Sequence, residues 1–273
     1  MTLLKIERAL LETKWGYIHY RATGSPHHRA IFLQHINQQS SALYLELMAV
    51  LGKQFRVVAI DYPSHGDSDH LAESPTIGDY AGAVLAVADA LKIKQFSVLG
   101  EAVGAAVSIE LAANHAERVE KTILLNCPFY ATRQVADARH APLKNGLRPE
   151  DASGFPMTRT LEFLMNNDPG HAPMQPSQGW MDRVNTAQIQ VGRDRWQALD
   201  ALHRYELNAQ LKRVGTPILL LIGEHFYYLK YREEFHQAHA QLRSEVVAGA
   251  CFCMGWEKAE VVGAKVIHFL AEV

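Results

Sequence analysis

The chain lacks both a long apolar run and any stretch of like charge. Its longest apolar segments, such as 218–222, are the size of a strand and far short of the roughly 20 residues that a bilayer-spanning helix needs. The 27 basic and 29 acidic residues are interspersed and leave a formal net charge of -2. We therefore expect neither a nucleic-acid partner nor a membrane partner.

The chain has little cysteine, and we expect no export signal. Its amino-terminal residues carry charges where a signal peptide needs an apolar core, which predicts a cytoplasmic location. The three cysteines are Cys127, Cys251 and Cys253, and we expect reduced thiols. The last two are one residue apart and cannot complete a tetrahedral metal site by themselves. We expect no metal and no cofactor.

Short apolar segments separated by turn residues are what the chain has instead. The later segments are continuously apolar, which is typical of strands buried on both faces of a parallel sheet. The earliest segments suit an antiparallel edge. The predicted strands are 8–12, 17–21, 30–33, 56–60, 96–99, 121–125, 218–222 and 244–247.

Segments with helical period alternate with these strands and predict an α/β fold. They are 43–51, 77–91, 103–114, 231–241 and 259–270, with a further helical period over 196–211. Residues 131–211 break the alternation, which predicts a helical cap inserted into a core formed by 1–130 and 212–273. Ligands of open α/β sheets bind beyond the carboxyl ends of the strands, so an insertion there is well placed as a lid. A purely structural helical excursion is the alternative.

A tight turn joins the strand 96–99 to the helix that follows it. Gly100-Glu101-Ala102-Val103-Gly104 has the glycine spacing of the G-x-S-x-G nucleophile elbow, which stands between a strand and a helix. Ala102 occupies the nucleophile position. Because a methyl group has no proton to give up and no lone pair, no acyl-enzyme can form there.

With these features the chain resembles the α/β-hydrolase superfamily, in its branch of esterases, lipases and carbon–carbon hydrolases with a helical cap. The resemblance covers nearly the whole length. The segment 61–68 is similar to the family's D-x-P-G-x-G-x-S turn, and His35-Ile36-Asn37 falls where the family has H-G-x. The resemblance implies an α/β-hydrolase fold: a mostly parallel eight-stranded sheet, flanking helices and a helical cap.

The resemblance also implies that the acid and the base are missing. The family's acid follows the seventh strand in a G-x-x-D pattern, where this chain has Phe226, and its base follows the eighth strand, where this chain has Phe252. Some relatives carry the acid after the sixth strand, but Asn126 and Cys127 offer no carboxylate there. Replacing every polar partner by apolar groups can be nearly neutral for stability, whereas a single lost partner leaves a buried charge. The substitutions therefore indicate an apolar pocket floor.

Some groups near this floor could still bind a ligand. Asn37 and the backbone amide of Val103 could donate to a carbonyl or an enolate. Alternatively, these amides simply cap the following helix. Ile36, where the family has Gly, also narrows the turn that carries Asn37. A structural or surface role is favoured for His35 and His65.

Three further pocket candidates follow from their place in the chain. Glu101 is a candidate residual acid, although its offset along the strand predicts a side chain pointing away from the site. Tyr130 and Trp180, in or beside the insertion, could line the pocket. The predicted pocket residues are His35, Ile36, Asn37, Glu101, Ala102, Val103, Tyr130, Trp180, Phe226 and Phe252.

Three functions stay open on the sequence. The first is a protein without turnover that binds a small, largely apolar or carbonyl-bearing ligand in the pocket, or binds a protein partner or a second copy. The second is a non-hydrolytic enzyme, such as a lyase, cyclase, isomerase or decarboxylase, that uses the apolar pocket with Asn37 and the Val103 amide. The third, an active hydrolase altered at its triad, ranks last, because two phenylalanines are not the changes one would choose to trap a substrate.

Overall fold

The computed structural model describes residues 5–146 and 177–272. Its sheet has eight strands in the order β1-β2-β4-β3-β5-β6-β7-β8. The pairs β1–β2 and β2–β4 are antiparallel, and the remaining pairs are parallel. The strands are β1 Glu7–Thr13, β2 Gly16–Thr23, β3 Ala30–Gln34, β4 Arg56–Ile60, β5 Phe96–Glu101, β6 Val119–Leu125, β7 Ile218–Gly223 and β8 Arg243–Val247. The predicted mostly parallel sheet with an antiparallel edge is confirmed.

Burial along the strands follows their place in the sheet. Every residue of β3, β5 and β7 is buried, because helices cover both faces of the central strands. In β1, at the edge, exposed and half-buried residues alternate over much of the strand. The continuous apolar runs of the sequence therefore correspond to central strands.

Helices alternate with the strands and pack on the two faces of the sheet. In the described part of the chain they are α1 Leu45–Leu51, α2 Ile77–Ala90, α3 Val103–Asn114, α4 Arg133–Gly146, α5 Gln178–Val191, α6 Gln197–Arg204, α7 Leu207–Leu211, α8 Arg232–Ala238, α9 Met254–Glu257 and α10 Ala259–Ala271. Helices α4 to α7 lie in the connection between β6 and β7, where the sequence predicts the cap. The cap boundaries at 131 and 211 stay a prediction.

Two predicted helices differ from the structure. The helical period over 196–211 is broken, because the backbone of Tyr205 is extended and its hydroxyl donates to the Glu110 carboxylate at 2.8 Å. This hydrogen bond holds the non-helical residue Tyr205 against α3, which contains Glu110. The segment 43–51 begins with a 3₁₀ turn at Ser41–Tyr44, whose first amides are capped by the Ser40 side chain.

Two layers of apolar side chains form the core, one on each face of the sheet. Alternate residues of one strand enter different layers: Val98 packs with α2 and α3, and Leu99 packs with α1 and α10. Within residues 5–146 and 177–272, no helix combines the length and the apolarity that a membrane crossing requires.

Candidate active site

The turn between β5 and α3 has the backbone of a nucleophile elbow. Ala102 has φ 51° and ψ -108°, a region that side-chain-bearing residues rarely adopt. The glycines that flank it allow close packing: a Cβ atom on Gly104 would lie 1.9 Å from the Gln34 carbonyl oxygen, and one on Gly100 would lie 2.0 Å from the carbonyl oxygen of Gly104. The Ala102 methyl is half-buried and follows the carboxyl end of β5.

The two predicted phenylalanines meet at the carboxyl ends of β7 and β8. Their ring centroids are 4.9 Å apart, and the rings meet edge to face at 85°. Phe226 is buried and closes a turn by donating its backbone N–H to the Gly223 carbonyl at 2.9 Å, whereas Phe252 is half-buried. The surface between these loops is therefore aromatic.

Glu101 and Asn126 hold the loops around the elbow. The Asn126 side-chain amide donates to Glu101 Oε1 at 2.9 Å and to the Cys251 carbonyl at 2.6 Å. Its Oδ1 accepts the Gly223 amide at 2.9 Å, and Glu101 Oε1 also accepts the Met254 amide at 3.4 Å. These bonds join the ends of β5, β6 and β7 to the loop after β8, and so place the Phe252 loop against the elbow.

The sequence expectation that Glu101 points away from the site stays a prediction. Its side chain is fully buried against the Phe252 loop, because the amides of that loop need an acceptor. Burial raises the pKa of Glu101 to about 7, and the hydrogen bonds from Asn126 and the loop amides oppose that rise. Its Oε2 has no partner among the described residues.

His35 and Asn37 lie on the other side of the elbow, on the loop that follows β3. The fully buried His35 ring donates from Nδ1 to the Ile36 carbonyl at 2.7 Å and accepts the Tyr62 amide at Nε2 at 3.2 Å. Burial lowers the pKa of His35 to about 4, so the ring is neutral at physiological pH. Both ring nitrogens are thus occupied by backbone groups.

Asn37 differs from His35, because its side chain has no hydrogen bond in the described part of the chain. The residue is 9% exposed, and both Nδ2 and Oδ1 lack partners there. A buried carboxamide without partners costs about 1–3 kcal/mol per unmet group. Asn37 is therefore suited to bind a polar group of a ligand, and Ile36 beside it is half-buried.

Tyr130 and Trp180 come from the connection that carries the predicted cap. Tyr130 is half-buried and packs edge to face on Tyr228 at 5.9 Å, and Tyr228 in turn lies 5.4 Å from Phe226. Trp180, on α5, is 2% exposed and belongs to the core layer that contains α1. The aromatic surface thus extends from Phe252 to Tyr130, whereas Trp180 packs in that core layer.

Asp61 holds the turn after β4, the turn that is similar to the family's D-x-P-G-x-G-x-S motif. Its Oδ1 accepts the Ser41 amide at 2.6 Å, and its Oδ2 lies 2.8 Å from His19 Nδ1 and 2.9 Å from the Asp67 amide. Burial alone would raise the pKa of Asp61, but these bonds, led by the one to His19, hold it at about 2. Asp61 is therefore an ionised anchor for this turn.

One group of described residues could in principle present three atoms to a metal ion. Ligand atoms of His19, Asp61 and Asp67 lie within 4.8 Å of one another. The Asp61 oxygens are already hydrogen-bonded, and Arg8 pairs with Asp67 at 2.9 Å. Because Arg8 supplies the positive charge, we assign these contacts to the anchoring of the turn.

A serine and a histidine are also in contact elsewhere in the described residues. Ser244 Oγ lies 2.8 Å from His236 Nε2 and accepts Arg232 Nε at 2.6 Å. Ser244 is the second residue of β8, at the end of the sheet opposite the elbow. This pair cannot act on a ligand that sits over Ala102.

Comparison with known proteins agrees with the elbow and with the sheet order. The family model described as "Alpha/beta hydrolase family" matches residues 18–254. This chain belongs to the alpha/beta hydrolase family. The confirmed fold class and the confirmed family explain why a strained turn stands at the end of β5.

Named relatives of this chain are similar to it over less than half of its length. It is 30% identical over 125 residues to "Serine hydrolase-like protein" of Danio rerio, covering 45% of the chain and 38% of the relative. It is 31% identical over 137 residues to "Haloalkane dehalogenase 2" of Mycobacterium tuberculosis, covering 46% of the chain and 45% of the relative. The match spans about two fifths of the length of these curated relatives.

A solved structure resembles the chain over almost its whole length. The enol-lactonase from Burkholderia xenovorans LB400 superposes with a TM-score of 0.76 at 22% identity, covering 97% of this chain and 100% of that one. At this identity the likeness shows the fold alone.

Two parts of the site escaped the sequence analysis. Asn126 was considered only as a missing carboxylate, although its φ of 45° after a buried strand is a conformation that favours Asn. The contact of Tyr62 with Tyr80 joins the turn after β4 to the following helix, α2, and no local pattern predicts such a contact between two elements. The positions of Ala102, Phe226 and Phe252 as those of a triad stay a prediction.

Proposed function

We propose that this α/β-hydrolase-fold protein does not hydrolyse substrates by a Ser-His-Asp triad and binds a small, largely apolar or carbonyl-bearing ligand over Ala102. The edge-to-face contact of Phe226 with Phe252 carries the proposal. A catalytic acid and base need a hydrogen bond between them, and two phenyl rings offer none.

The elbow is suited to bind a ligand but carries no nucleophile to attack it. Its backbone keeps the strained conformation of a nucleophile turn, but the side chain that it presents is a methyl group. The Val103 amide begins α3 beside it, and the unpartnered Asn37 carboxamide lies on the neighbouring loop. These groups could hold a carbonyl oxygen, the group that an enol-lactone also carries, while the aromatic rings hold an apolar body.

A non-hydrolytic enzyme is the second candidate, favoured by the same unpartnered Asn37. A carboxamide and a backbone amide directed at one oxygen would stabilise an enolate as well as a carbonyl. Incubation of the pure protein with extracts of its source cell, followed by mass analysis, separates the two candidates. A consumed metabolite indicates an enzyme, and a co-purifying compound that stays unchanged indicates a binding protein.

The proposal is tested by turnover and binding measured on one preparation. We expect p-nitrophenyl esters of several chain lengths to be hydrolysed no faster than in buffer. We expect the apolar fluorescent probe N-phenyl-1-naphthylamine to bind, and Ala102→Phe to weaken that binding at least tenfold because the ring fills the space over the elbow. Ile189→Phe, on an exposed face of α5, is the matched control. Ester turnover that tracks the pure protein, or equal probe affinity in both variants, would refute the proposal.

A further inference from the structure

Three buried polar atoms beside the elbow lack partners in the described part of the chain. They are the hydroxyls of Tyr62 and Tyr80 and the Nε2 atom of His65. Both tyrosines are 0% exposed and His65 is 1% exposed. Burying a polar group without a hydrogen-bond partner is unfavourable, so three such groups together destabilise the folded chain unless a guest satisfies them.

The three rings form one cluster between the turn after β4 and α2. The Tyr62 and Tyr80 rings are tilted by 32° with centroids 4.7 Å apart. His65 stands edge-on to both, at 6.0 Å from Tyr62 and 6.2 Å from Tyr80. The Tyr62 ring packs on His35 at 4.1 Å, and a Cβ atom on Gly104 of the elbow would lie 2.9 Å from the His35 carbonyl oxygen, so the cluster adjoins the elbow through His35.

The protonation of the cluster determines which guest it accepts. His65 Nδ1 lies 3.0 Å from the Pro63 carbonyl, which can only accept, so Nδ1 carries the proton and Nε2 offers a lone pair. Burial, and then the neighbouring His35, lower the pKa of His65 to about 3, which keeps the ring neutral. Burial raises the pKa of Tyr62 and of Tyr80, so both hydroxyls keep their protons.

These states select a hydroxyl group over other oxygen groups. His65 Nε2 needs a donor, and the tyrosine hydroxyls can donate to the oxygen of the same guest. An ester or ketone carbonyl only accepts and would leave Nε2 unmet. A carboxylate is disfavoured, because the three buried rings are uncharged and offer no cation to pair with it.

We propose that Tyr62, His65 and Tyr80 form a binding site for an uncharged hydroxyl group, carried by a ligand whose apolar body lies against the aromatic side of the elbow. The inference rests on the proposed function, since it assigns a chemical class to the ligand of that same site. A water molecule presents the same chemistry, so the experiment must separate bound water from a ligand hydroxyl.

The test compares 2-naphthol with 2-methoxynaphthalene, in which a methyl group replaces the hydroxyl proton. We expect the full chain to bind 2-naphthol about threefold to tenfold more tightly, the worth of one hydrogen bond. His65→Phe, which removes the Nε2 acceptor, should remove that preference, whereas Tyr62→Phe and Tyr80→Phe should weaken the binding of both compounds. Tyr44→Phe is the control, because Tyr44 is equally buried but its hydroxyl donates to the Gln34 carbonyl at 2.8 Å; it should keep the preference.

Unfolding temperatures without ligand provide the second readout. Tyr44→Phe loses a made hydrogen bond and should lower the unfolding temperature, whereas Tyr62→Phe and Tyr80→Phe should leave it unchanged or raise it. If Tyr62→Phe and Tyr80→Phe lower the unfolding temperature as much as Tyr44→Phe does, bound water already satisfies the two hydroxyls. That result would overturn the inference. Equal binding of both naphthalenes, or binding of neither, also overturns it, whereas the proposed function is decided separately by ester turnover and by Ala102→Phe.

Discussion

Phe226 and Phe252 touch edge to face at 4.9 Å, on loops that follow neighbouring strands of the sheet. In a triad hydrolase, an acid and a base at such positions would share a proton. Here the contact is apolar, and the nearby carboxyl group, Glu101, is bound to amides of the Phe252 loop and of Asn126.

Rebuilding the triad should restore hydrolysis if the positional assignment is correct. We expect the combined variant Ala102→Ser, Phe226→Asp and Phe252→His to hydrolyse p-nitrophenyl butyrate at least about 100-fold faster than the wild type, because a complete triad contributes about 10⁶ in rate. Ala102→Ser alone should stay at the background rate, because the hydroxyl would have no base to activate it. A folded combined variant with no gain would contradict the assignment.

Glycine at position 102 should relieve the backbone strain of the elbow. Ala102→Gly removes the side chain from a φ of 51°, so we expect the free energy of unfolding to rise by up to about 1 kcal/mol after the entropy cost of glycine is counted. The same substitution at Ala113, inside α3, should lower it by about 0.5–1 kcal/mol. Urea denaturation measures both variants, and equal losses would show that the turn is unstrained.

Asn126 should matter for stability more than any exposed asparagine. In Asn126→Ala the Gly223 amide and the Cys251 carbonyl lose their partner, and Glu101 loses one donor. We expect the free energy of unfolding to fall by about 3–5 kcal/mol. Asn114→Ala, at the exposed end of α3, should change it by less than about 0.5 kcal/mol. Similar values for the two variants would show that the loops hold without this side chain.

Local patterns predicted the sheet and the elbow, because their signals lie within single segments. Helix α3 was predicted over 103–114 and occurs at Val103–Asn114, since Gly100 and Gly104 mark the turn before it. The four-residue helix α9 was not predicted. It follows Cys253, whose φ of 57° reverses the chain there, and it packs against α1 and α10, so it depends on tertiary contacts.

The buried hydrogen bonds of Glu101 could not be predicted from strand alternation. Alternation applies within a regular strand, but Glu101 is the last residue of β5, where the chain turns into the elbow. Its partners, Asn126 and Met254, are 25 and 153 residues away in the chain. Because the Glu101 carboxyl is buried against these partners, the stability of the protein should depend on pH.

Glu101 should make the protein less stable as pH rises. Burial raises its pKa from 4.5 to about 7, so between these values the folded chain binds more protons than the unfolded chain, and the free energy of unfolding falls with pH. The loss is complete above about pH 7. Glu101→Gln cannot ionise and keeps an oxygen for Asn126, so its stability relative to the wild type should improve by roughly 2–3 kcal/mol between pH 4.5 and pH 8.

Urea denaturation of the wild type and Glu101→Gln at pH 4.5, 6, 7 and 8 measures this difference. Comparing the two proteins at each pH cancels the titration of every other group that the substitution leaves undisturbed. Glu117→Gln, on an exposed turn, is the matched control and should run parallel to the wild type. A Glu101→Gln curve that also runs parallel would show that the buried carboxyl keeps an ordinary pKa in the folded protein. Its hydrogen bonds to Asn126 and to the Met254 amide would then fully offset the cost of burying its charge.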